Sequence, residues 1–400
     1  MPIPRNDIEN RSGRRVLAVA LLCLSLAACG GGDTPASGTN AQGTIAVGQT
    51  PAPSISLLAG AINEPGYKDG SAFEARFNRP AWAIYNSEGV AYLALHSGPS
   101  RIVSDGNGGL YVLDAPQQAI SLYEANPAYD KGMPIRRISP SGVVTTFVTI
   151  QGPNQAAHLA VDPDGALYFT SGNKIHKVAQ QGGESVFLTG SSRYQSSADI
   201  PASSTVDHFY KPGPIVFDRD GNLYVSDGLY IRKISRDSTS RLFATLPAGS
   251  GATTSMNVDV NGNLYLTQAE VRWQPGHTLI GHDRGVIIKI KPDGEVVVIA
   301  GTLEGVGHAD GAGKDARFSN PTGLAIDEAG NLYVADSMNQ VIRKIDVNGM
   351  VTTVAGTPGV NVPGTGSLPG TLSEPYGLAF IGPKTLAVTT GTAVAKIVLP

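Results

Sequence analysis

The sequence predicts an all-β fold built from repeated antiparallel units, and three observations carry that expectation. Its 400 residues include 49 Gly and 27 Pro, more turn formers than a helical domain of this size uses. Only 16% of residues are charged and 41% are hydrophobic, so the chain has apolar surface to bury and is not disordered by composition. The apolar residues fall in short runs broken by Asp/Gly turns, the pattern of β-hairpins. A formal net charge of −3 gives no reason to expect nucleic acid as a partner. Two cysteines exclude a disulfide framework and a thiolate zinc cluster.

Residues 1–28 read as a secretory leader. Arg11, Arg14 and Arg15 form a basic start, and Val16 to Leu26 is an apolar run too short to span a bilayer. The run closes on Leu26-Ala27-Ala28-Cys29, which resembles the lipobox of bacterial lipoproteins; that resemblance implies cleavage before Cys29 and diacylation of its thiol. Residues 29–53 are rich in Gly, Ser, Thr and Pro, the composition of a flexible tether. Gly30 stands where inner-membrane retention signals place Asp, so the expected location is extracytoplasmic, at the outer membrane if the host has one.

Residues 54–400 are organised by a repeat. Six windows align without gaps: Ser100–Asp114, Ala157–Ser171, Gly213–Asp227, Thr254–Gln268, Thr322–Asp336 and Tyr376–Thr390. The eleventh position is Leu in each, and the twelfth is Tyr in all but the last. Each window is a hairpin. A third strand with a branched-basic-branched core follows, as in Ile231-Arg232-Lys233-Ile234 and Ile342-Arg343-Lys344-Ile345, then a Gly turn and a fourth strand such as Val351–Ala355. Four antiparallel strands repeated radially make the blade of a β-propeller.

These units resemble the NHL-repeat family, most plainly at Asn320–Gly349 (NPTGLAIDEAGNLYVADSMNQVIRKIDVNG). The resemblance implies a propeller over residues 54–400. It leaves the function open, since NHL-like propellers include lyases, lactonase relatives and binding scaffolds. The last window is followed by one strand only, Val394–Leu399, whereas Ser54–Gly60 (SISLLAG) matches fourth strands such as VTTVAG. The first strand is therefore expected to complete the last blade and close the ring. Six blades are expected. The alternative is a degenerate seventh between residues 81 and 134, because Ala81–Leu95 fits the hairpin template and Ala119–Ala125 reads as a third strand.

Strand parity places the 1–2 and 3–4 turns on one face and all other connections on the opposite face. The long connections belong to the second class, so one rim should be irregular and the other smooth, and the irregular rim is the expected binding surface. Two of its loops match, sharing Asp69/Asp310, Gly70/Gly311, Arg76/Arg317, Phe77/Phe318 and Pro80/Pro321. Either these Asp and Arg side chains contact a polar ligand, or the Phe plugs a gap between blades while Asp and Arg tie the loop down. Asp114, Asp227, Gln268 and Asp336, at the rim end of second strands, either line a binding mouth or cap their own loops. Trp273 shares a loop with His277 and His282, and His308 lies near Asp310 in the next; these four polar residues are the candidate metal ligands. No nucleophile elbow, phosphate loop or HExxH pattern occurs.

The expected function is a lipid-anchored scaffold whose long-loop face binds a protein or a cell-envelope glycan. The alternative is a metal-dependent lyase or lactonase-like hydrolase, with a divalent ion such as calcium at the channel mouth.

Overall fold

The computed structural model describes residues 51–77, 84–85, 91–92, 98–115, 132–150, 156–179, 185–189, 209–210, 212–249, 251–270 and 284–400. Strand β1 (Ser54–Gly60) comes first, followed by a two-stranded ribbon of β2 (Ile84–Tyr85) and β3 (Ala91–Tyr92). Blade 1 contains β4 (Gly98–Ser104), β5 (Leu110–Ala115), β6 (Met133–Ile138) and β7 (Val144–Ile150). Blade 2 contains β8 (Ala156–Val161), β9 (Leu167–Ser171), β10 (Lys174–Val178) and β11 (Ser185–Thr189). Blade 3 contains β12 (Pro212–Phe217), β13 (Leu223–Asp227), β14 (Tyr230–Ile234) and β15 (Ser240–Thr245), and blade 4 contains β16 (Ala252–Val258), β17 (Leu264–Glu270), β18 (Arg284–Ile290) and β19 (Val296–Thr302). A short strand β20 (Gly311–Ala312) precedes blade 5, which contains β21 (Pro321–Ile326), β22 (Leu332–Asp336), β23 (Val341–Ile345) and β24 (Met350–Ala355). A second short strand, β25 (Gly366–Ser367), precedes β26 (Pro375–Gly382), β27 (Thr385–Thr390) and β28 (Ala393–Val398) of blade 6.

The ring therefore has six blades. Within Ala81–Leu95, which fitted a seventh hairpin, Ile84–Tyr85 and Ala91–Tyr92 pair as a two-stranded sheet separate from the blades, and the remaining residues lie outside the described ones. Ala119–Ala125 lies outside the described residues. Blade 6 is completed by β1, which pairs antiparallel with β28 from Ser54↔Val398 to Gly60↔Ala393. Closure removes the edge strand that an open sheet would expose.

The repeat letters have local physical reasons. In five blades the 1–2 turn is held by one Asp whose backbone N–H reaches the carbonyl four residues on: Asp105 to Gly109, Asp162 to Ala166, Asp218 to Asn222, Asp259 to Asn263 and Asp327 to Asn331. The same carboxylate takes the N–H of that later residue, at 2.8 Å for Gly109, Ala166, Asn222 and Asn331 and 2.9 Å for Asn263. The eleventh-position leucines are 0–3% exposed and form the inner layer of each blade. In blades 2 to 5 the Tyr beside this Leu lies under the Lys of strand three, with Lys177 5.1 Å from the Tyr168 ring and Lys233 5.1 Å from the Tyr224 ring. Burial and the turn carboxylates Asp259 and Asp327 push the hydroxyls of Tyr265 and Tyr333 up to about 12.

Long connections fasten adjacent blades at their outer edges. The Gly301 N–H at the end of β19 donates to Gly313 O at 2.9 Å, while Gly311 in the same loop pairs with Val351 of β24. Gly60 N–H donates to Ala72 O at 2.8 Å and Gly70 bridges Val144; Gly356 N–H donates to Pro369 O at 2.7 Å and Gly366 pairs with Ile55 of β1. The seams between blades 4 and 5, 5 and 6, and 6 and 1 are thus strapped. Glycine is required at Gly301 because its φ is +82° and a Cβ there would lie 2.3 Å from Gly285 O and 3.1 Å from the Phe318 ring.

Candidate functional site

The rim residues singled out by sequence assemble into a loop-holding module seen in full in blades 1 and 5. In blade 5, Arg343 projects from β23 and is completely buried. Its Nη1 donates to Asp336 Oδ2 and to Arg317 O, both at 2.9 Å; its Nη2 donates to Ala309 O and to Asp310 Oδ1, both at 2.6 Å. The Phe318 ring lies 5.0 Å from the guanidinium carbon. Blade 1 repeats these contacts of the two terminal nitrogens, but Arg343 Nε also donates to Asp310 Oδ1 at 2.9 Å, a contact that Arg136 Nε lacks. Arg136 donates to Asp114 Oδ2 at 3.1 Å, Arg76 O at 3.2 Å and Lys68 O at 2.7 Å, pairs with Asp69 at 2.7 Å, and stands 5.2 Å from the Phe77 ring.

The roles follow from these contacts. Asp336 also accepts the Ser319 N–H at 2.7 Å and the Asn339 side-chain amide at 2.8 Å. Burial pushes its carboxyl up to about 6 against the pull of Asn339, Ser319 and Arg343. Asp69 takes the backbone N–H of Thr146 at 2.8 Å, and Asp310 that of Thr353 at 2.9 Å. Phe77 and Phe318 are completely buried between blades. The Arg76 and Arg317 guanidinium groups bend back onto carbonyls of their own loops, Phe73 and Ala75 for the first, Lys314 and Ala316 for the second. These contacts tie the loops down and cap them. Asp114, Asp227, Gln268 and Asp336 are all 0% exposed, so a ligand on the rim meets other side chains first.

A third copy of the module escaped the sequence comparison. Phe209 is 1% exposed and precedes Pro212 by three residues, as Phe318 precedes Pro321. Tyr210 N–H donates to Asp227 Oδ2 at 3.2 Å, the counterpart of Ser319 to Asp336. Arg232, 2% exposed, faces Val225 in the register that sets Arg343 opposite Val334. The Asp, Arg and Phe of the module therefore recur in blades 1, 3 and 5, with most of the blade 3 loop outside the described residues. The intervening blades hold Ser171 with His176, Gln268 with Ile288 and Thr390 with Ala395 at the Asp and Arg positions, so both charges are present or both are absent. The signal was legible as an Arg in every second third strand.

The candidate metal ligands are not brought together among the described residues. His308 is exposed, Asp310 is engaged by Arg343, and Trp273, His277 and His282 lie outside the described residues. No group of three or more His, Cys, Asp or Glu side chains gathers among the described residues.

The central channel is a cavity of about 630 Å³ lined by all six first strands. The second window position faces it and reads Arg101, His158, Pro214, Ser255, Gly323 and Gly377 around the ring. Arg101 reaches across from blade 1: its Nη1 donates to Thr254 O of blade 4 at 2.8 Å and to Thr322 O of blade 5 at 3.1 Å, with the Tyr376 ring 4.7 Å from the guanidinium carbon. Burial lowers the Arg101 pKa, opposed by Tyr376. Burial, and secondarily the Arg101 charge, drives the His158 pKa well below the ordinary imidazole value, so His158 is neutral at physiological pH. His158 lines the channel. Replacing Arg101 with Met should cost about 1.5–3 kcal/mol, the usual worth of hydrogen bonds from a charged group, measured by urea unfolding.

The family model of the teneurin NHL domain matches residues 184–367. Teneurin-3 of Danio rerio is 23% identical over 260 residues, which is 56% of this chain and 9% of that protein; the chain thus spans about a tenth of the curated teneurins it matches. A structural-genomics protein of unknown function from Bacteroides thetaiotaomicron shares the fold with a TM-score of 0.63 at 21% identity, covering 87% of this chain and 76% of that one. A protein from the same organism described as an auxiliary nutrient binding protein has a TM-score of 0.58 at 13% identity, covering 87% and 76%.

Proposed function

Because the chain is an NHL-repeat β-propeller, we propose that it is a binding scaffold, anchored outside the cytoplasm through lipid on Cys29 and engaging an envelope glycan or protein through its long-loop face. The observation that carries this reading is the one-sidedness of the ring: five of the 1–2 turns are tight and built alike, whereas the described long connections at the blade 4–5, 5–6 and 6–1 seams leave from the opposite ends of the strands and are strapped to the neighbouring blades. Long loops on a rigid frame are where binding surfaces are found. The same fold serves a protein described as binding nutrients.

Two measurements test the proposal. Metabolic labelling with palmitate should mark the full chain and be lost in Cys29→Ser, with the protein leaving the membrane fraction; unchanged membrane association in Cys29→Ser would remove the anchor. A photo-crosslinker attached to Asn361→Cys, on the long-loop face, should give discrete adducts with envelope material. The same reagent at Asn348→Cys, in a 3–4 turn, should give none. Equal adducts from both positions would overturn the assignment of the working face.

A further inference from the structure

Blade 6 departs from blades 1 and 5 at every position of the loop-holding module. The pairings Val334↔Arg343 and Val388↔Ala395 put Ala395 where blade 5 has Arg343, and the same two strands put Thr390 in place of Asp336. The pairings Gly311↔Val351 and Gly366↔Ile55 put Thr365 in place of Asp310. Leu372, three residues before Pro375, stands in place of Phe318, three residues before Pro321. A guanidinium, two carboxylates and a phenyl ring are thus replaced by Ala, Thr, Thr and Leu. The volume they fill in blade 5 is open here, as a cavity of about 240 Å³ lined by all four replacements.

We propose that this cavity is a subsite for one ring of a neutral saccharide. The inference rests on the long-loop face being the working surface, and it names the chemistry recognised there. The cavity opens between the connection leading into blade 6 and the residues after β1, both on that face.

The lining selects the class of ligand. It contains no Lys, Arg or His, so nothing there recruits an anion. Its carboxylate is Glu374, which already accepts the Asn361 side-chain amide at 3.3 Å. The two carboxylates that hold a guanidinium in blades 1 and 5 are both gone, so a cation has lost the partners it has elsewhere in the ring. The floor is apolar, made by Ile55, Leu57, Leu372 and Ala395. The upper wall carries Asn63, Thr365 and Thr371, whose side chains make no hydrogen bond among the described residues. A pyranose presents this combination in reverse, with a C–H face for the floor and a girdle of hydroxyls for the wall. The volume is below the roughly 300 Å³ at which drug-sized ligand pockets begin, which fits a single ring and not an extended chain.

Backbone geometry points the same way. Asn63 and Glu374, on either side of the cavity, have φ of +61° and +50°, a region that non-glycine residues rarely adopt. In blade 5 the position of Glu374 is held by Asn320 at φ +52°, a residue type suited to that conformation. Glutamate is not, so its presence at the cavity mouth is not explained by the turn it occupies.

The test is saturation-transfer NMR on the soluble propeller beginning at Thr50, with glucose, galactose and N-acetylglucosamine as separate probes and arginine methyl ester as the cationic control. At least one sugar should receive saturation, and arginine methyl ester none. The signal should be lost in Ala395→Leu, which fills the floor, and in Thr365→Trp, which blocks the exposed mouth without entering the core. If Ala395→Leu fails to fold, Thr365→Trp carries the test. No transfer to any sugar, transfer retained in a folded variant, or transfer to the cation alone would each overturn the proposal. Those results leave the working face standing if Asn361→Cys still crosslinks, so the two failures are separable.

Discussion

A chain that starts at Ala61 in place of Thr50 is expected to lose cooperative unfolding or to melt far below the parent. The reason is the closure of blade 6. Strand β1 supplies the outer strand of that blade, and its Ile55 and Ala59 are 2% and 0% exposed. Removing it uncovers Val394 and Ile397 of β28, both 0% exposed, and releases β25, which pairs with Ser54 and Ile55. A buried Ile alone is worth about 2–5 kcal/mol, and the strand's hydrogen bonds go with it. The total is comparable with the 5–15 kcal/mol that holds a typical domain together. Circular dichroism melts of the two chains decide the matter: equal melting temperatures would mean that β1 is not part of the folding unit.

Blade 5 offers the second large effect. Replacing Arg343 alone with Ile leaves the Asp336 carboxylate buried without its cation, and this should cost about 3–5 kcal/mol. The double change Arg343→Ile with Asp336→Gln copies the pair that blade 4 already uses, Ile288 with Gln268, and should return to within about 1 kcal/mol of the parent. The two effects are far from additive because the residues share one hydrogen-bonded cluster. A pH dependence accompanies them. The Asp336 carboxyl is raised from 3.8 to about 6 in the folded protein. Its contribution to stability is therefore full below pH 3.8 and is lost as pH rises through about 6. The double variant has no such group, so its stability relative to the parent should rise between pH 4 and 6 and level off above. Urea titrations at three pH values measure this difference; a flat difference would show that Asp336 stays ionised throughout.

The fold was legible because each repeat letter has a mechanical reason. The Asp of the 1–2 turn, the Leu beneath it and the Tyr under a basic side chain recur because every hairpin solves the same problem. The closing strand was legible because Ser54–Gly60 resembles other outer strands and the last blade lacked one. What was missed is instructive. The connection leading into blade 3 shares little more than Phe209 and Pro212 with its counterparts, so the third set showed in sequence only through Asp227 and the Arg232 that recurs in alternate third strands. Arg101 was passed over because it lies in a regular strand; only the ring places it across the channel from Thr254. The blade 6 cavity could not be read directly, since it consists of side chains that are smaller than their counterparts. It becomes visible once register says which residue answers which.

The first strand has two neighbours whose demands meet. On one side it is the last piece of the wheel; on the other, Ile55, Ser56 and Leu57 wall the blade 6 cavity. The peptide that precedes it is also the route by which any mechanical load on the N-terminus enters the propeller. Tension arriving at Thr50 is therefore felt first by the latch and by the cavity wall together, and an occupant wedged there would resist the latch being drawn out.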